Sequence, residues 1–177
     1  VKLSWDAQAT VAENARRQLP LLVGHFFASG RKTISRHTPL DDLHAFRLEA
    51  KRFRYTLELF RPVFGPGLGR RIAELRRMQT LLGDINDCVT TRQLVLDAAG
   101  RRIAQARQVL DLLESRIAKR LGELDDFWRS TFDAPGEELR WTRYLALYAG
   151  RRRAPRKAPA PAEAPAPAGA EPAAAAG

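Results

Sequence analysis

Apolar residues return every three or four positions through the first 149 residues of the chain, and no segment alternates at every second position. This pattern predicts helices throughout. A first helix is expected from Asp6 to Ala28, with Leu19, Leu22, Val23 and Phe26 on its buried side. Pro20 should kink or divide it, and Ser29-Gly30 should end it. Thr38-Pro39-Leu40-Asp41 reads as the next start: a capping hydroxyl, proline at the first position and acids in the first turn. That second helix runs to about Arg61, where Pro62 and Gly65-Pro66-Gly67 break it. A third runs from Leu68 to Leu96 or Asp97, with Leu75, Gln79, Leu82, Asn86 and Val89 inward. Gly83 inside it costs about 1 kcal/mol relative to alanine and predicts a close helix contact or a bend. Gly100 separates a fourth helix, Arg101 to Phe132, whose inward side carries Ile103, Ala106, Leu110, Leu113, Ile117, Leu121, Leu124 and Trp128. A turn at Asp133-Ala134-Pro135-Gly136 leads to a short amphipathic helix from Glu137 to Ala149. The expected fold is all-α: an antiparallel four-helix bundle with a short additional C-terminal helix.

The pattern stops at Gly150. Residues 151–177 are nearly all Ala, Pro, Gly and charged side chains, too little apolar surface to offset ordering entropy. The organisation read from the sequence is therefore one helical domain over residues 1–150 and a disordered, basic, Ala/Pro-rich tail. A chain of 177 residues suits one domain with a real core. It begins with Val1, as would a piece of a longer protein or the product of a non-standard start codon, and its first residues lack the apolar core of a signal peptide. No run of about 18 apolar residues predicts a membrane span. The single cysteine, Cys88, excludes an internal disulfide and fits a reducing, cytoplasmic setting.

A second stripe lies beside the apolar one on the second helix. Leu43, Phe46, Ala50, Phe53, Leu57 and Phe60 form the apolar face. His44, Arg47, Lys51 and Arg54 recur at the same spacing, centred about 110° around the axis. Four groups that are or can become cationic, each about one turn from the next, repel one another unless an anion lies along them. The whole chain carries +10, with 25 Arg against 5 Lys. Guanidinium forks match phosphate oxygens. A GC-rich genome also inflates Arg, Ala, Pro and Gly together, but codon bias does not choose a helix face. The competing reading of the row is a solvated stripe paired with Glu58 or its neighbours.

Two segments carry a family likeness. The first is His44-Ala45-Phe46-Arg47-Leu48-Glu49-Ala50-Lys51-Arg52-Phe53-Arg54-Tyr55, with Leu57-Glu58-Leu59-Phe60 after it. The second is Leu75-Arg76-Arg77-Met78-Gln79-Thr80-Leu81-Leu82-Gly83-Asp84-Ile85-Asn86-Asp87. Together and in this order they resemble the CHAD family, the conserved-histidine α-helical domain. Met78 and Ile85 stand at common leucine positions, and Glu49 lies among the basic residues but points away from their stripe by helical phase. The resemblance implies non-catalytic binding of inorganic polyphosphate by a basic helical face, often at polyphosphate granules, sometimes beside a triphosphate-processing enzyme. The residues that would carry it are Arg47, Lys51 and Arg54, then His44 and Arg76, with Arg52 and Tyr55 flanking. Many relatives hold two four-helix halves. This chain has room for one, so a second basic wall would come from another subunit, as in a homodimer, or be missing.

Other chemistry finds less support. Three histidines and one cysteine without ligand spacing argue against zinc, and no cofactor is expected. Gly65-Pro66-Gly67-Leu68-Gly69 lacks the Lys-Ser/Thr ending and preceding strand of a phosphate loop, although the helix start after it could still assist an anion. Asn86 and Asp87 could be read as a metal or acid/base pair, but fit better as polar residues fixing helix register, as does Gln79. Cys88 reads as a small helix residue, and Trp128 and Trp141 as core or interface anchors. The runner-up function is nucleic-acid binding, since positive charge attracts any polyanion. A third is docking onto a phosphate-handling enzyme through the last two helices. A hydrolase fits least, for want of clustered carboxylates.

Overall fold

A computed structural model describes residues 3–100 and 103–147. Among them are six helices and no strand: α1 (Val11–Thr33), α2 (Leu40–Leu59), α3 (Arg61–Phe64), α4 (Gly67–Ala99), α5 (Ile103–Thr131) and α6 (Glu137–Leu147). The all-α fold is as expected. The tail predicted over 151–177, and the end of the last predicted helix at Ala149, lie outside the described residues.

Local hydrogen bonds move several boundaries. Thr10 and Glu13 form a capping box: the Glu13 N–H donates to Thr10 Oγ1 at 3.2 Å, and the Thr10 N–H donates to the Glu13 carboxylate at 2.8 Å. The residues before it fold back onto buried Asn14, which accepts the Asp6 N–H and donates to the Asp6 carbonyl. The helix therefore starts at Val11, not Asp6. It runs unbroken through Pro20 and past Ser29-Gly30 to Thr33. Thr38 does not cap α2. Its buried hydroxyl accepts the Ser35 N–H and lies against the Thr33 carbonyl, closing the connection, while Pro39 occupies the cap position without a side-chain bond. The second helix ends at Leu59, and the single turn of α3 tucks Phe64 inward before Gly65, whose φ of 70° suits glycine.

Contacting pairs give the neighbours. His25 and Ser29 meet Glu49 between α1 and α2. His44 meets Asn86 and Arg54 meets Gln79 between α2 and α4. Asp84 meets Arg120 and Arg92 meets Glu114 between α4 and α5. In the last two sets residue numbers run in opposite directions, so those helices are antiparallel. α6 is more than an addition: it lies along α1, where Trp141 is fully buried 5.9 Å from Phe27. Against α4, the Arg71 guanidinium lies 4.1 Å over the Tyr144 ring and 5.3 Å over the Trp141 ring. The core is aromatic, with Phe26, Phe27, Phe46, Phe53, Trp128, Phe132 and Trp141 in mutual contact. Trp128 and Trp141 are thus core anchors, and Cys88 is a buried helix residue. Trp5, which the pattern left unplaced, is half-exposed beside Phe60.

α4 and α5 outrun this core. At 1.5 Å per residue, the 33 residues of α4 span about 50 Å and the 20 of α2 only about 30 Å. No described residue from 89 to 116 is buried. Ile103, expected inward, is exposed, because the helices that would cover it end earlier.

Gly83 is not a contact point either, since a methyl group there would meet nothing. The close approach is at Gly30, where a Cβ would overlap the Trp128 indole. The two glycines should therefore respond oppositely in urea unfolding. Gly83→Ala should stabilise by up to about 1 kcal/mol, and Gly30→Ala should destabilise by about 1–3 kcal/mol through overpacking.

Candidate functional site

The basic row of α2 runs along the seam with α4. Its apolar face is held inward by Leu43, Phe46, Ala50, Phe53 and Leu57, so helical phase turns Arg47, Lys51 and Arg54 toward that seam. The side chains do not behave alike. Arg54 is largely covered: its Nε donates to Gln79 Oε1 at 2.7 Å and its Nη1 to Glu58 Oε1 at 2.6 Å. The guanidinium also lies 4.4 Å over the Tyr55 ring. Gln79 is oriented by donating to the Ala50 carbonyl at 2.8 Å. Arg76 of α4 reaches the same carboxylate, its Nη2 2.8 Å from Glu58 Oε1, which brings it to the α2 row as expected. One Glu58 oxygen thus bridges an arginine from each helix, with Arg76 itself 61% exposed.

At the other end, His44 Nδ1 lies 3.1 Å from Asn86 Oδ1. His44, Arg47, Asn86, Asp41 and Thr90 line a groove of about 310 Å³ with an apolar floor including Leu82 and Ile85. Between the ends stand Arg47 and Lys51, both half-buried, with no hydrogen bond or ion pair among the described residues. Arg52 is exposed, on the far side of Tyr55 from the groove by helical phase, and Tyr55 is half-exposed. Glu49 points to α1, taking a hydrogen bond from Ser29 and facing His25, and so leaves the row alone. Gln79 and Asn86 make the cross-helix bonds read from their positions. Asp87 is exposed and makes none with its carboxylate among the described residues, so it has no register role. Asp41 and Thr90 were not singled out from sequence. Their only signal is spacing: Asp41 is three residues before His44, and Thr90 four after Asn86.

Electrostatically the row is uneven. Partial burial works to raise the Glu58 pKa, but the hydrogen bonds from Arg76 and Arg54 outweigh it and hold the carboxyl below its ordinary 4.5. Glu58 is therefore an internal counter-anion for two of the cations, while Arg47 and Lys51 lack one. No group of three His, Cys, Asp or Glu side chains among the described residues is arranged to hold a metal. No described helix is long and apolar enough to cross a membrane.

Fold and site together define a helical-bundle protein with a groove between two antiparallel helices, lined by Asp41, His44 and Arg47 over an apolar floor. The family model of the CHAD domain matches residues 2–96, from the N-terminal segment through most of α4, and the chain belongs to that family. The family is associated with polyphosphate- and triphosphate-related proteins. No curated protein and no solved structure matches the chain.

Glu58→Gln tests the bridge. A carboxyl whose pKa is lowered by folding adds stability above its unfolded value, and that contribution disappears as pH falls through the folded value. Glu58→Gln should therefore cost about 1 kcal/mol near neutral pH. Urea titrations of variant and parent should converge as pH falls below 4.5. A difference that stays constant with pH would assign the loss to packing.

Proposed function

We propose that this chain binds inorganic polyphosphate along the α2–α4 groove and does not turn it over. The observation that carries the reading is the pair Arg47 and Lys51: one turn apart, half-buried on one helix edge, and without a carboxylate partner among the described residues. Elsewhere on the surface Arg36, Arg92 and Arg120 are paired with acids, while Arg16, Arg61, Arg107 and Arg116, which also lack a carboxylate partner among the described residues, are exposed where Arg47 and Lys51 are half-buried. Two uncompensated cations beside a third and fourth that share a single carboxylate make a field that favours a linear anion with charge at every repeat.

The roles follow from the donors. Arg47 offers a planar fork for two non-bridging oxygens, and Lys51 a rotatable point charge beside it. His44 is oriented through Nδ1 by Asn86 Oδ1 and stands at the groove's end, beside Arg47. Arg76 keeps donors beyond the one given to Glu58. Arg54, clamped by Gln79 and Glu58, acts chiefly by adding charge and by holding Tyr55 at the rim. Arg52 stands furthest from the groove and contributes long-range attraction. The ligand has no bases to read, which fits a groove lined by no Phe, Tyr or Trp side chain, with Tyr55 only at its rim.

Within the same reading, polyphosphate granules are the expected location. A second copy of the chain is the expected source of a further basic wall, and a triphosphate-processing enzyme is a fitting neighbour. The test is competition between long-chain polyphosphate and single- and double-stranded DNA, at matched phosphate and near-physiological salt. Polyphosphate should win, and preference for DNA would sink the reading in favour of nucleic-acid binding. Combining Arg47→Ala with Lys51→Ala should weaken polyphosphate binding by roughly 2–4 kcal/mol and lower its salt dependence, with the thermal transition retained. Unchanged affinity would move the site away from α2.

A further inference from the structure

α4 carries a second set of arginines on its opposite edge. Arg70 and Arg77 are seven residues apart, the same two-turn spacing as Arg47 and Arg54 on α2, and therefore about 10 Å apart along one face. With Arg140 of α6 and Ser130 and Thr131 at the end of α5, they line a separate groove of about 500 Å³. Two acids lie in it, and their placement matters. Glu74 is 18% exposed beneath Arg70, which is 85% exposed, at 2.9 Å. Glu137 is likewise 18% exposed beneath Arg140, which is 60% exposed, at 2.6 Å. Each carboxylate sits low and its guanidinium projects, so an approaching molecule meets the cationic end of both pairs. Arg77 has no carboxylate partner among the described residues, and its guanidinium is spread 4.7 Å above the Phe127 ring. Arg76, at the end of the first row, is the preceding residue on the same helix, about 100° around it. Its pairing repeats the arrangement, an exposed arginine over the more covered Glu58.

We infer that this α4–α5–α6 groove is a second anion-binding site, and that a long polyphosphate chain passes from the α2–α4 groove over Arg76 and Arg77 into it. The inference rests on the polyphosphate reading above and adds a consequence. A chain long enough to engage both grooves gains from the high effective concentration of its second segment, whereas a short one occupies a single groove. Length selectivity is thus built into one helix that presents arginines on two edges.

The experiment compares tripolyphosphate with long-chain polyphosphate on the full chain, using Arg77→Gln combined with Arg140→Gln. A charge-matched control carries Arg16→Gln and Arg107→Gln, two exposed arginines away from both grooves. The groove variant should lose about tenfold in affinity for the long chain, lower its salt slope by about one to two units, bind tripolyphosphate at fewer sites, and leave the tripolyphosphate affinity of the first groove unchanged. The control should retain most of the long-chain affinity. Unchanged long-chain binding overturns the inference, and so does equal loss for both ligands or equal loss in the control, which would reduce the effect to net charge. Should the first groove's Arg47→Ala and Lys51→Ala variant lose binding while the second groove's variant does not, the polyphosphate reading stands and only this extension falls. If the unmodified chain binds neither phosphate ligand, both fall. Urea unfolding of the groove variant, with Arg77→Lys as a charge-retaining partner, separates loss of contact from loss of fold.

Discussion

The packing of the Phe26 ring is the contact on which the other features depend. It lies 4.5 Å from Phe53 and 5.6 Å from Phe46 of α2, and 5.9 Å from Trp128 of α5. These stacked and edge-on contacts fix the rotation of α2 about its own axis. A buried large apolar side chain is worth about 1.5–3 kcal/mol, whereas like-charge pairs one turn apart on a helix oppose folding by only a few tenths. The aromatic face therefore decides which way α2 turns, and the cationic edge goes where that face sends it. The self-repelling row along the α4 seam is a consequence of a core that outweighs it.

Polar contacts then sort the cations. Gln79 and Asn86 join α2 to α4 at two levels, through Arg54 and His44. Glu58 joins them at a third, through Arg54 and Arg76. Each bond engages a side chain that could otherwise serve a ligand, and of the row Arg47 and Lys51 are left over. The same principle operates on the other edge of α4, where Glu74 and Glu137 are tucked under Arg70 and Arg140 and Arg77 has only an aromatic ring beneath it. Acids placed low and arginines placed high leave the guanidinium the more exposed partner of each pair.

Much of the fold was legible along the chain because an amphipathic helix writes its buried face in three- and four-residue steps. The stretch from Leu43 to Leu57 on α2 lies inward as read, and so do Ile117, Leu121, Leu124 and Trp128 on α5. The misreadings have distinct physical causes. Gly30 looked like a helix end because glycine often is one, but here it makes room for Trp128, a residue almost a hundred positions later. Thr38 looked like a cap and instead closes a turn onto Thr33. Ile103 continues the inward spacing of α5 beyond the point where any other helix reaches it. Periodicity reports which face of a helix is apolar, and it does not report how far the neighbouring helices extend.

By itself the sequence determined that the chain is helical, which face of each helix is apolar and which side chains form the basic row on α2. Those follow from bond geometry, which places successive side chains about 100° apart whatever the surroundings. The two motif segments likewise carried the family. Which cations are neutralised was decided only by tertiary structure. Arg76 is paired with Glu58, 18 residues away, and Arg31 with Glu138, 107 residues away. Ion pairing acts over a few ångströms in space, so it can select partners that no local spacing along the chain reveals.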